Sequence, residues 1–125
     1  MKREIVNHKV NDSDPLRVVA NDSHPGVSYV IDGFDYGRND ASDTSTQQAI
    51  KLLFQNGPIP ANGVNGLTNE VLISVLIDRL KTFQGGPHRC KENACAITKL
   101  EEALMWLQHR TIDRRRRNVE GTSNK

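Results

Sequence analysis

TNEVLISVLIDRLKTFQ, Thr68 to Gln84, then GGP, Gly85 to Pro87, then HRCKENACAITKLEEALMWLQHRTIDRRRR, His88 to Arg117, reads as two helices joined by a tight turn. Thr68 offers a side-chain oxygen to cap the first helix, and Glu70 puts a carboxylate near its positive end. Val71, Leu72, Val75, Leu76, Leu80 and Phe83 recur at helical spacing. Ile73 and Ile77 widen that stripe until about two sides are apolar, the pattern of a sandwiched helix. Gly85-Gly86-Pro87 closes this helix and opens the next, because glycine relieves the last turn and proline fits the first helical position. The second helix extends from Pro87 to about Arg117, about 45 Å long, with Ile97, Leu100, Leu104 and Leu107 as its apolar seam. A globule of 14.0 kDa is only about 30 Å across, so a helix of that length projects beyond its sheet or lies against a copy of itself. Self-association is the expectation.

Upstream, the periodicity changes. Glu4 to Val10, Leu16 to Ala20 and Val27 to Asp32 are short runs rich in Val and Ile, separated by Asn-Asp-Ser-Asp-Pro and Asn-Asp-Ser-His-Pro-Gly, and they predict antiparallel strands. Gln47 to Gln55 fits either a helix or a strand entering the turn at Asn56-Gly57-Pro58; a fourth strand is the reading taken. Residues 34–43 predict an exposed loop, and Gly57 to Gly66, with two prolines, a linker. The fold class is therefore α+β: an N-terminal antiparallel sheet of three to four strands, then a long helical hairpin. At 125 residues the chain is expected to be a single domain, with a strand-rich part at 1–57, the hairpin at 67–118 and a tail at 119–125.

Hydrophobic residues make up 36% and aromatics 5%, a lean core that again favours oligomers. The apolar pair Ile5-Val6 is broken at Asn7-His8-Lys9, and no later run approaches the roughly 18 apolar residues of a membrane span, so a cytosolic protein is expected. Cys90 and Cys95 diverge by about 140° on a helix, which disfavours a disulfide. Their spacing lacks the second pair of a zinc site, so neither metal nor cofactor is expected. His8, His24, His88 and His109 are scattered, with no compact acid–base cluster, which argues for a binder rather than an enzyme.

Net charge is +2 but polarised: residues 1–45 hold five Lys/Arg against eight Asp/Glu, and five arginines lie between Arg110 and Arg117. On a helical wheel Arg110, Arg114 and Arg117 fall within about 60° of one another, near the small residues Ala96 and Ala103. Such a run is ordinarily a solvated face. It also suits phosphate, since each guanidinium offers planar paired donors, or nucleic acid, which would make the chain a small DNA- or RNA-binding regulator. Asn93, on much the same side as Arg114, carries an amide able to read a base edge or a ribose hydroxyl. Phe83, Trp106 and Tyr36 are each a core ring or a stacking platform.

The segments FQNGPI (Phe54 to Ile59), GVNGLTNE (Gly63 to Glu70), IDRLKTFQGGP (Ile77 to Pro87) and ENACAITKLEEALMWLQHRTIDRRRRNVEGT (Glu92 to Thr122) together resemble the Thoeris anti-defence 1 proteins of bacteriophages. ITKLEEALMW, Ile97 to Trp106, is also similar to the hairpin of an anti-CBASS sponge that binds cyclic oligonucleotides. The resemblance implies a non-catalytic sponge in the cytoplasm of the infected host, a homodimer building toward a hexamer. It would hold a cyclic ADP-ribose isomer, the glyco-cyclic form made by TIR-domain immunity, and by extension cyclic di- and trinucleotides. It implies that Phe83 stacks on adenine, Asn93 hydrogen-bonds the ligand, and Arg110 and Arg114 grip phosphate, with Lys91 and Arg117 secondary. The family pattern has arginine at Lys91 and an aromatic near His88, where its second pocket for trinucleotides lies.

Asn93 and Arg110 are seventeen residues apart, about 25 Å along one helix. If both touch one ligand, the second helix must pair antiparallel with a symmetry mate, which places the pocket at the interface.

Overall fold

A computed structural model of the protein describes residues 1–43 and 46–116. Arg117 and the tail at 119–125 lie outside the described residues. The chain falls into two compact units, Met1–Asn56 and one that begins at Gly57.

The first unit is a four-stranded antiparallel meander, β1 (Lys2–Ile5), β2 (Arg17–Asn21), β3 (Ser28–Asp32) and β4 (Ala49–Leu53), paired in that order. The ambiguous fourth segment is thus a strand. The register puts Ile5, Val18, Ala20, Tyr29, Ile31, Ile50 and Leu52 on one face, because directly opposed residues of neighbouring strands point the same way. Ala20 is buried there, and Phe54 closes edge-on against Tyr29 with ring centroids 5.8 Å apart. The strand expected to reach Val10 stops at Ile5: the Lys9 amide donates to the Val6 carbonyl at 2.9 Å, and that turn reverses the chain. Gly33 ends β3 at φ +92°, with the Pro15 backbone where a side chain would stand. Within the expected loop at 34–43, Tyr36–Arg38 makes one 3₁₀ turn capped by the Asp35 carboxylate.

In the second unit, the expected linker holds a one-turn helix, α1 (Ile59–Asn62), whose second residue is Pro60, where no intrahelical N–H is required. The hairpin follows as α2 (Asn69–Gln84) and α3 (Lys91–Arg116). The Thr68 hydroxyl caps α2 by accepting from the Val71 amide at 3.2 Å. α3 begins four residues later than expected. Pro87 lies in the turn instead, because the Gln84 side chain accepts from the Cys90 amide at 2.8 Å and the Asn93 amide meets the Cys90 sulfur at 3.4 Å. The seam residues Ile97, Leu100, Leu104 and Leu107 are all half-buried, Ile77 of α2 is buried, and Lys81 bridges to Glu101 at 3.0 Å.

Within this chain α2 is not sandwiched as its wide stripe predicts. Ile73 and Ile77 lie on its covered side, while Val71, Val75 and Leu76 remain exposed, Val75 to 59%. No helix among the described residues is long and apolar enough to cross a membrane.

Candidate functional site

At the start of α3 the chain gathers a ring, an amide and a cation. Phe83, on the last turn of α2, is half-buried; the His88 ring meets it edge-on, with centroids 6.1 Å apart, and the Arg79 guanidinium carbon lies 4.7 Å from its centroid. Arg79 and Phe83 are one helical turn apart, which is why their side chains meet. Asn93 is linked to the same cluster, since its amide nitrogen donates to the His88 carbonyl at 3.3 Å. That bond fixes the amide plane and leaves the Asn93 carbonyl oxygen without a partner among the described residues. Phe83 and Asn93 are therefore brought together through His88. Lys91 opens α3 and is exposed.

At the other end of α3 the two expected phosphate arginines differ. Arg110 is exposed and has no hydrogen-bond or ion-pair partner among the described residues. Arg114 is 9% exposed and is engaged within the fold, so the solvated reading fails for it. Spacing accounts for this: Leu100, Leu107 and Arg114 recur every seventh residue, so Arg114 continues the stripe of the half-buried seam. Ala96, Ala103 and Arg110 form the adjacent sevenfold stripe, half-buried at the alanines and open at the arginine. Arg116 meets Asp113 at 3.5 Å.

The remaining aromatic candidates lie elsewhere. Trp106 is 61% exposed and meets His109 edge-on at 6.1 Å, and Tyr36 packs on Phe34 at 4.5 Å in the sheet unit. Sequence reasoning missed Arg79 as a neighbour of Phe83, although the four-residue spacing on a helix was the available signal. His88, considered there among the scattered histidines and beside the family's second pocket, is the element that joins ring to amide. Among the described residues no three His, Cys, Asp or Glu side chains converge to hold a metal ion.

α3 is continuous over 26 residues, about 39 Å. Asn93 and Arg110 lie about 25 Å apart along it, so one chain presents two candidate half-sites: ring plus amide at one end, exposed guanidinium at the other.

Residues 47–111 match the protein family described as Acb2/Tad1, hairpin domain, which covers α2, the turn and most of α3. A relative from Bacillus phage SBSphiJ7, named Thoeris anti-defense 1, is 57% identical over 107 residues, covering 81% of this chain and 75% of its own length. The match to this relative extends well beyond the hairpin, and with it the chain belongs to the Thoeris anti-defence 1 family of bacteriophage anti-defence proteins.

Proposed function

We propose that this protein captures a cyclic ADP-ribose isomer, the glyco-cyclic form made by bacterial TIR-domain immunity, and holds it intact inside the infected cell. The observation that carries the reading is the separation of the two half-sites on one unbroken helix. A ligand with a flat base at one end and a diphosphate at the other matches them when α3 lies antiparallel to its copy, so that Phe83 and Asn93 of one protomer face Arg110 of its partner. Each such dimer then carries two equivalent pockets, and dimers stack toward a hexamer. The exposed apolar residues of the hairpin, Val71, Val75, Leu76 and Met105, are consistent with association between copies.

Within the pocket the Phe83 ring offers a platform for adenine, the free Asn93 carbonyl oxygen accepts from a base amine or a ribose hydroxyl, and Arg110 meets the diphosphate with paired donors. Arg114, buried one turn away, adds fixed positive charge, and Lys91 is a secondary contact. Cyclic di- and trinucleotides share this base-and-phosphate chemistry and are secondary ligands. A sponge acts by mass action, so affinity and abundance, not turnover, set its effect.

Calorimetry with the glyco-cyclic isomer tests the reading. Saturable binding at one ligand per protomer is expected, and heating the complex releases chemically unchanged, active ligand. Recovery of a hydrolysed product would make the protein an enzyme. Binding to duplex DNA instead, weakening steeply as salt rises, would move the function to nucleic acid.

A further inference from the structure

We infer that Arg79 and Phe83 form a base clamp, with the guanidinium as the jaw opposite the ring. This rests on the functional reading above and adds a recognition residue to it. Arg79 is exposed, yet its guanidinium lies over the Phe83 ring, 4.7 Å from the centroid, so the ring face it covers is one reachable from solvent. His88 stands edge-on to the same ring, 70° from its plane, and Asn93 is tied to the His88 backbone. The edge is thereby occupied, and the covered face is the way in for a flat ligand.

A base that enters there has a cation above it and a ring below. Both surfaces stack on nucleobases: aromatic faces through dispersion and the quadrupole, guanidinium planes through planar overlap and positive charge. Room for a base needs the jaws about 7 Å apart, two ordinary stacking distances. Arg79 can supply that opening, because it has no ion-pair or hydrogen-bond partner among the described residues and a long flexible stem. Phe83, half-buried and fixed at its edge by His88, is the stationary jaw. In the free protein the clamp is closed on itself, which keeps the ring covered until a base replaces the cation. The clamp selects for electron-rich purines over ligands that offer phosphate alone.

The test is calorimetry of the full chain with glyco-cyclic ADP-ribose for wild type, Arg79→Ala, Arg79→Lys, Phe83→Leu and the Arg79→Ala/Phe83→Leu double variant. Leucine keeps apolar volume at the turn, and unchanged circular dichroism and melting temperature show that the hairpin is intact. Arg79→Ala is expected to weaken binding about 5- to 20-fold and Arg79→Lys less. The double variant should bind within about twofold of Phe83→Leu, because a jaw without its partner has nothing left to close on. Wild-type affinity in Arg79→Ala beside a clear loss in Phe83→Leu overturns the clamp and leaves the functional reading standing. Fully multiplicative losses also overturn it, since Arg79 would then act away from the ring. Unaltered affinity in Phe83→Leu, or no binding by wild type, removes the base platform itself, and the functional reading falls with the clamp.

Discussion

Two arginines of the sheet and two of the hairpin are held in different ways. In the sheet unit, three cations have carboxylates beside them: Arg3 meets Asp22 at 3.0 Å, Arg17 meets Asp32 at 2.9 Å, and Lys9 meets Glu4 at 3.3 Å. The register explains the second pair, since Arg17 and Asp32 stand directly opposite each other on β2 and β3. Both arginines make two bonds to their partner carboxylate, which holds Asp22 and Asp32 below the ordinary carboxylate range. In the hairpin, Arg79 lies on a ring and Arg110 is without a carboxylate among the described residues. A guanidinium already matched by a carboxylate has little to offer an anion; one that stands without a carboxylate does. The comparison is the reason the proposed phosphate contact is assigned to the hairpin and not to these sheet arginines.

The largest effect should come from breaking the hairpin itself. Ile77, 8% exposed, is the apolar residue of the hairpin that the described structure buries most completely. Ile77→Ala is expected to lower stability by about 2–4 kcal/mol, combining lost burial with an unfilled cavity. Urea unfolding followed by helical circular dichroism measures it. An unchanged midpoint would mean that the α2–α3 contact does not hold the half-sites in place.

The next comparison lies within the hairpin, between Arg110 and Arg114. Arg110→Ala should weaken ligand binding by about 1.5–3 kcal/mol, the range for a charge-assisted hydrogen bond, with melting temperature unaltered. Arg114→Ala should differ in kind. Its side chain is buried and engaged, so its removal strands a partner and lowers stability by about 1–3 kcal/mol in addition to any loss of binding. Calorimetry and thermal melts on both variants separate the two roles. Equal behaviour would contradict the distinction drawn from their burial.

Much of this layout was legible in the chain. Valine and isoleucine runs between Asn/Asp-rich turns gave the meander, and Thr68 with the apolar spacing of Val71 to Phe83 gave α2. Strand ends were less legible, since the Val6–Lys9 turn depends on one backbone hydrogen bond that propensity does not encode. The start of α3 was misplaced for a similar reason: proline permits a helix start but does not compel one, and the Gln84 side chain prolongs the turn to Cys90. At the site, a wheel grouped Arg110 with Arg114 because they lie about 40° apart, but a packing seam can divide residues that close. Extending the sevenfold spacing from Leu100 and Leu107 to Arg114 would have separated them. The His88 link between Phe83 and Asn93 was beyond reach, because it needs the turn's three-dimensional path.

A smaller effect tests whether the hairpin is preorganised by its own cap. The Thr68 hydroxyl satisfies the Val71 amide, an otherwise unpaired donor at the first turn of α2. Thr68→Ala should reduce stability by about 1 kcal/mol and leave ligand affinity unaltered, since Thr68 lies at the far end of α2 from Phe83. Thr68→Ser should recover most of the loss. A fall in affinity at temperatures well below the melt would show that the first turn of α2 communicates with the ring.

The smallest effect belongs to the sheet and has a defined sign with pH. Asp22 and Asp32 are held below their ordinary value of 3.8, first by the hydrogen bonds from Arg3 and Arg17. A carboxyl whose folded pKa is depressed contributes stability above its unfolded pKa and loses that contribution as pH falls through the folded one. Both pairs are solvent-exposed, so at neutral pH Asp32→Asn should lower the melting temperature by only about 1–3 °C. As pH falls from the unfolded value of about 4 through the lower folded one, the wild-type carboxylate protonates and becomes the near-isostere of the amide, so the two melting curves should converge. Melting temperatures of wild type and Asp32→Asn across that range test the point. A gap that stays constant into strong acid would show that the Arg17–Asp32 contact stabilises the sheet through packing rather than charge, and the contrast between matched and unmatched guanidinium groups would lose its electrostatic basis.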